Sequence, residues 1–199
     1  MREKFAIRSL EYITTFYSYD NQHLEKLKYG LEAFYSFATK TGAIILFSII
    51  LGTFKETMLL IFFYTLLRSF AFGIHASSNL ACWLITIPVF GIAPFIAKIL
   101  IIPDYMKIFI IFIGILTFLF YAPADTYKRP LVNSIKRMRG KLLSLIAILP
   151  LQAIILFSSN QIIANLALFA IIFQIICIIP ITYKIFKMPY NNYQTYKKV

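Results

Sequence analysis

Six apolar runs, parted by short polar or charged stretches, govern what this chain of 199 residues can fold into. They lie at about 34–54, 58–74, 80–102, 106–122, 142–157 and 162–181. A helix crosses the hydrocarbon layer with about 20 mainly apolar residues. Lipid offers backbone N–H and C=O groups no partner, so such runs must be helical. Hydrophobic residues make up 60% of the chain and the mean hydropathy is +0.76, against an apolar share of about 45–50% in soluble domains. The expected fold is an all-α integral membrane protein of about six transmembrane helices, one membrane-embedded domain over residues 1–199. The first run, Thr41 to Phe54, is short and must borrow from Phe34 onward. The third contains Pro88, Gly91 and Pro94, which predicts a kinked or broken helix.

Residues 1–40 mix polar and apolar character. Leu24, Leu27, Leu31 and Phe34 recur at three and four residues, the pattern of one helix face. The region reads as an amphipathic helix at the cytoplasmic surface. The opening residues mix charge signs and lack an apolar core, unlike a cleavable signal peptide.

The formal net charge is +12, although charged residues are only 14% of the chain. On so apolar a chain the excess reads as topology and lipid contact, with no nucleic-acid partner. With six spans, 16 of the 20 Lys and Arg fall on one side: the N-terminal region, the loop after span four and the tail at 184–199. Three fall on the other, Lys55, Lys98 and Lys107, and Arg68 lies within a span. Both termini, and the turn between spans two and three, are therefore expected in the cytoplasm. Lys136, Arg137, Arg139 and Lys141 read as contacts to anionic lipid. Asn165 and Gln174, inside span six, read as bonds between helices.

That turn holds His75 and Cys82, one of two histidines and one of two cysteines. On one unbroken helix they would lie about 10.5 Å apart along the axis, beyond the reach of a nucleophile and its base. They can cooperate only across a break. Gly73 and the cluster Ser77-Ser78-Asn79 allow one. A new helix capped at Ser78 or Asn79 puts Cys82 in its first turn, where orphan N–H groups and the helix dipole favour a thiolate. Spacing alone leaves both readings open: a packing cysteine, or a Cys/His pair. Cys177, in an Ile-rich run, reads as packing. No metal spacing is read, and no cofactor is expected.

The pattern Arg68-x-x-x-x-Gly73-x-His75-Ala76-x-x-x-x-x-Cys82 resembles the signature of the AgrB family, membrane cysteine endopeptidases of Gram-positive quorum sensing. Tyr29-Gly30-Leu31-Glu32 and Tyr121-Ala122-Pro123-Ala124-Asp125-Thr126, the latter followed by Lys128-Arg129-Pro130, resemble the same family. The chain departs from it at Phe72, where a small or polar residue is common.

The resemblance implies a chemistry. A cysteine cuts the C-terminal tail from a precursor peptide, AgrD, and holds the rest as an acyl-enzyme. Attack by the peptide's own thiol or hydroxyl then closes a thiolactone or lactone. By the resemblance Cys82 is the nucleophile and His75 the base and acid. Glu32 orients the imidazole or is a plain surface carboxylate, and Asp125 is the alternative acid. Arg68 binds a substrate carboxylate or holds the loop, and Lys128 and Arg129 grip an acidic precursor tail or meet lipid. A homodimer is a family-level expectation. The rival reading is a small transporter without covalent chemistry, which a broken span and an intramembrane arginine partly fit.

Overall fold

A computed structural model of the chain describes residues 2–17, 20–74, 79–126 and 130–194. It divides into two compact units, residues 1–50 and 51–199. The described residues are all-helical apart from one isolated bridge.

The first unit pairs α1 (Arg2–Thr14) with α2 (Asn21–Ile50). Arg2 meets Glu32 at 3.0 Å and Glu3 meets Lys28 at 3.5 Å. The rings of Phe5 and Tyr35 lie 5.1 Å apart, and Ala6 is fully buried. The expected amphipathic region is thus a helix pair. Its second member runs without interruption into the first apolar run, which supplies the missing length.

The second unit begins with α3 (Phe54–Ala71). Next come α4 (Asn79–Ile87), a π-helical segment Pro88–Ile92 and α5 (Ala93–Ile99). This is where the prolines predicted a break. Pro88 cannot donate into the α-ladder, and the chain absorbs the lost bond as a wider turn. Then follow α6 (Asp104–Tyr121), α7 (Ser134–Phe157), α8 (Gln161–Ile178) and α9 (Pro180–Ile185). Helix α7 starts earlier than the fifth run's boundary near Leu142 suggests, because Asn133 caps it. The Asn133 side chain accepts from Ile135 N at 2.9 Å and Lys136 N at 3.2 Å. Asn160 caps α8 in the same way, at 3.0 and 3.3 Å.

Among the described residues five helices are long and apolar enough to cross a membrane: Gln22–Ile50, Cys82–Ile99, Asp104–Tyr121, Ser134–Phe157 and Gln161–Ile178. The sequence predicts about six. The difference is α3, which fills the second expected run but carries Lys55, Glu56 and Arg68. Glu56 is paired with Lys98 of α5 at 3.1 Å.

Polarity in the second unit is that of a membrane protein. Phe157 is 83% and Phe120 70% exposed on the outside, while Gln174 and Ser144 are fully buried. Helix α8 is apolar on every side and packs against α3, α5, α6, α7 and α9. Asn165 of α8 donates to Ala97 O at 3.0 Å and Leu100 O at 2.8 Å, satisfying carbonyls at the end of α5. Bonding between helices is what was expected of Asn165.

Candidate functional site

The helical path breaks where the Cys/His reading needs it to. Helix α3 ends at Ala71, α4 starts at Asn79, and Cys82 lies in the first turn of α4. His75 itself lies outside the described residues, as do Lys128 and Arg129.

Arg68, in the last turn of α3, ends that helix. Its Nη1 donates to Phe72 O at 2.7 Å, and its Nη2 donates to Gly73 O at 3.1 Å and to Ile74 O. Three carbonyls of the segment leading to His75 are thus held by one guanidinium. Arginine's planar fork suits this, because its donors diverge in fixed directions. Among the described residues Arg68 has no carboxylate partner. Of the two roles open to it, holding the loop is the one its geometry displays.

The held segment is unusual backbone. Phe72 has φ 54° and ψ −131°, and Gly73 has φ 110°. A side chain at positive φ is strained, and a bulky one more so. The conformation persists because every neighbour holds it. Gln174 Nε2 adds a second donor to Phe72 O at 2.8 Å. Gly73 N donates to Ala124 O, and Ile74 N to Cys177 O, both at 2.9 Å. Ala124 N returns to Ala71 O at 3.0 Å, making a parallel bridge between Phe72 and Ala124. Glycine is required at 73. A Cβ there would stand 2.5 Å from Cys177 O and 2.7 Å from Arg68 Nη1.

Cys82 is half-buried and unbridged. Thr86, one turn on, donates to Cys82 O at 2.6 Å, and its oxygen lies 3.7 Å from Cys82 Sγ. Sequence reasoning passed over Thr86, although its spacing of four from Cys82 puts both on one helix face. It also gave Gln174 no tie to the loop. That link spans 102 residues, and no local pattern signals it. Gln174 Oε1, buried on α8, has no partner among the described residues. Cys177 Sγ lies 3.5 Å from Tyr64 OH.

Asp125 is 3% exposed. Its carboxylate accepts from Asn192 N at 3.0 Å, Tyr193 N at 2.8 Å, and the Asn192 side chain and Leu131 N at 3.5 Å. The acid is therefore occupied by backbone donors. Arg137, expected to meet lipid, donates to Leu131 O at 2.8 Å and Val132 O at 3.1 Å and covers the Tyr193 ring at 4.1 Å. Glu32 belongs to the first unit, where one oxygen is taken by Arg2. Among the described residues no three His, Cys, Asp or Glu gather as a metal site.

No solved structure matches the chain. Sequence relatives do. A putative AgrB-like protein of Clostridium acetobutylicum is 31% identical over 185 residues, 89% of this chain and 88% of its own length. One of Listeria innocua is 31% identical over 178 residues, 89% of this chain and 87% of its own. The accessory gene regulator protein B of Staphylococcus carnosus is 30% identical over 114 residues, 57% of this chain and 60% of its own. The family model for accessory gene regulator B matches residues 8–178, which takes in α2 through α8 and the whole break between α3 and α4. This α-helical membrane protein belongs to the accessory gene regulator B family, and so to the accessory gene regulator system.

Proposed function

We propose that the chain is a membrane-embedded cysteine endopeptidase. It removes the C-terminal tail of an AgrD-like precursor and cyclises the remainder into a thiolactone or lactone autoinducing peptide for quorum sensing. The observation that carries this reading is the broken helix: Cys82 opens α4, and the segment entering from the other side is held by Arg68.

The chemistry follows from those positions. Cys82 Sγ attacks the scissile carbonyl as thiolate, while His75 holds the proton. Collapse of the tetrahedral intermediate breaks the C–N bond, and the imidazolium protonates the departing amine. The thioester left on Cys82 then accepts a thiol or hydroxyl from the same peptide. That closes the ring and returns the Cys82 thiol, with the proton passing through His75. First-turn N–H groups of α4 around Cys82 would serve the oxyanion. Glu32, an orienting candidate by the family resemblance alone, has Oε2 paired with Arg2. Lys128 and Arg129 supply cations for an acidic precursor tail. The positive-inside count puts both termini and this site in the cytoplasm of a Gram-positive cell, where thiols stay reduced. Anionic lipid around the basic segments and a homodimer complete the reading.

The transporter reading leans on a broken span and an intramembrane arginine. The break is present at Pro88–Ile92, but Arg68 spends its donors on backbone carbonyls, which favours the loop-holding role over a transport site.

The experiment is intact mass of the precursor incubated with purified protein in lipid, wild type beside Cys82→Ala. Loss of the tail and a covalent adduct are expected for wild type alone, with a released product one water lighter than the linear fragment. Cleavage that persists in Cys82→Ala overturns the mechanism.

A further inference from the structure

The C-terminal residues are tied into the framework of the candidate site, and one buried carboxylate does the tying. The segment after α9 returns to the loop that follows α6. Asp125 Oδ1 takes Asn192 N at 3.0 Å, and Oδ2 takes Tyr193 N at 2.8 Å. The same Oδ2 reaches Leu131 N at 3.5 Å, so one side chain joins the tail to both ends of its own loop. Tyr183 OH donates to Asp125 O at 3.0 Å, and the Tyr183 ring meets Tyr190 edge-on at 5.0 Å. Arg137 closes the far side through Leu131 O, Val132 O and the Tyr193 ring.

The residue before Asp125 is Ala124, whose two backbone groups bond Ala71 O and Gly73 N. The path from tail to site is therefore three links long: Asn192 and Tyr193 to Asp125, Asp125 to Ala124 by the chain, Ala124 to Phe72–Gly73. Among the described residues no cation pairs with Asp125, and a buried carboxylate is costly unless several donors surround it. Here most of those donors come from the tail. Without them Asp125 would turn toward solvent and take Ala124 with it.

We propose that Asp125 is a positioning residue: it clasps the C-terminal segment at Asn192 and Tyr193 and thereby holds the strand that enters the site at the α3–α4 break. This rests on the reading of Cys82 and His75 as the reactive pair. The tail is thus a working part of the active-site scaffold, although the family match ends at residue 178.

The test uses the full chain in lipid with Cys177→Ala, so that Cys82 is the single thiol. The rate of alkylation by iodoacetamide is followed against pH. Wild type is compared with His75→Ala, Asp125→Asn, and a chain ending at Met188. Asp125→Asn breaks the clasp from the loop side, and truncation breaks it from the tail side. Both are expected to slow Cys82 alkylation near neutral pH at least tenfold and to move the profile toward that of His75→Ala. Combining them should add little. Circular dichroism checks that helix content is retained. Unchanged profiles in both variants, beside a wild type clearly different from His75→Ala, would overturn the clasp. A wild type that matches His75→Ala overturns the reactive pair instead, so the two failures are distinguishable.

Discussion

Arg68 Nη1 lies 2.7 Å from the carbonyl oxygen of Phe72, four residues further along the chain. In a continuing helix that oxygen would point to a later backbone N–H. Here the guanidinium takes it, and takes the next two carbonyls as well. The residue that looks like an expensive buried charge in a membrane helix is thus the device that ends the helix before His75.

This geometry separates two roles for Arg68 kinetically. A residue gripping a substrate carboxylate changes KM. A residue shaping the backbone ahead of the proposed base changes kcat. Lysine keeps the charge but cannot fork across three carbonyls. Hydrogen bonds to charged groups contribute about 1.5–3 kcal/mol each. Arg68→Lys is therefore expected to lower kcat for precursor cleavage by about ten- to a hundredfold with KM little changed. Steady-state kinetics in lipid measures both. An effect confined to KM would return Arg68 to substrate binding.

The backbone at positions 72 and 73 predicts opposite signs for two substitutions. Phe72 is at φ 54°, where a Cβ is strained, and its side chain is only partly buried. Strain of this kind costs on the order of 1–3 kcal/mol. Phe72→Gly is expected to raise stability by about 1 kcal/mol, after the loss of some packing. Gly73→Ala drives a methyl to 2.5 Å from the Cys177 carbonyl, which is backbone and cannot swing aside. That variant is expected to lose cleavage while keeping its helix content. Thermal melts in detergent and the cleavage assay check the pair. A Gly73→Ala protein of normal activity would show that the segment is not held as described.

Much of this was legible in the sequence because it is periodic or local. The apolar runs pointed to the helices, Pro88 and Pro94 to the irregular turn, and Gly73 to the break, while Ser77 and Ser78 lie outside the described residues. What escaped is long-range and polar. The bonds from Gln174 to Phe72 and from Asp125 to Asn192 join residues 102 and 67 apart, and neither glutamine nor aspartate announces a partner by spacing. Arg137 has ties of the same kind: its bonds to Leu131 O and Val132 O and its place over the Tyr193 ring depend on where the tail returns, which no spacing signals. The second run was legible as a helix: α3 forms as expected, and its charges Lys55, Glu56 and Arg68 set it apart from the five more apolar helices among the described residues.

The two cysteines should behave differently. Cys177 is half-buried beside Tyr64 on the central helix, and it accepts from Ile74 N through its backbone carbonyl. Cys177→Ala removes one sulfur and leaves that carbonyl in place. It is expected to cost under about 1.5 kcal/mol of stability, as a modest core change, and to retain cleavage within about threefold. Cys82→Ala should abolish both cleavage and the covalent adduct. Mass spectrometry of the two proteins with precursor decides it. Loss of the adduct in Cys177→Ala would mean that the nucleophile has been misassigned.

The tail offers a pH handle. Burial first, and then the nearness of Tyr121, Tyr193 and Asp125, push the Tyr190 hydroxyl up to about 12. A free tyrosine loses its proton near about 10. The docked tail therefore holds that proton more tightly than the released tail does. Its contribution to docking is fully present below about pH 10 and is lost as pH rises through about 12. Tyr183, whose hydroxyl donates to Asp125 O, is pushed up by burial in the same direction. Protease cleavage within residues 189–194 reports tail release. For wild type it should stay flat up to about pH 10 and then climb. Tyr190→Phe has no hydroxyl to titrate there, so its climb should be shallower across the same window, with only Tyr183 contributing. Identical profiles for the two proteins would mean that Tyr190 is not buried against the loop, and that the tail is held by Asp125 alone.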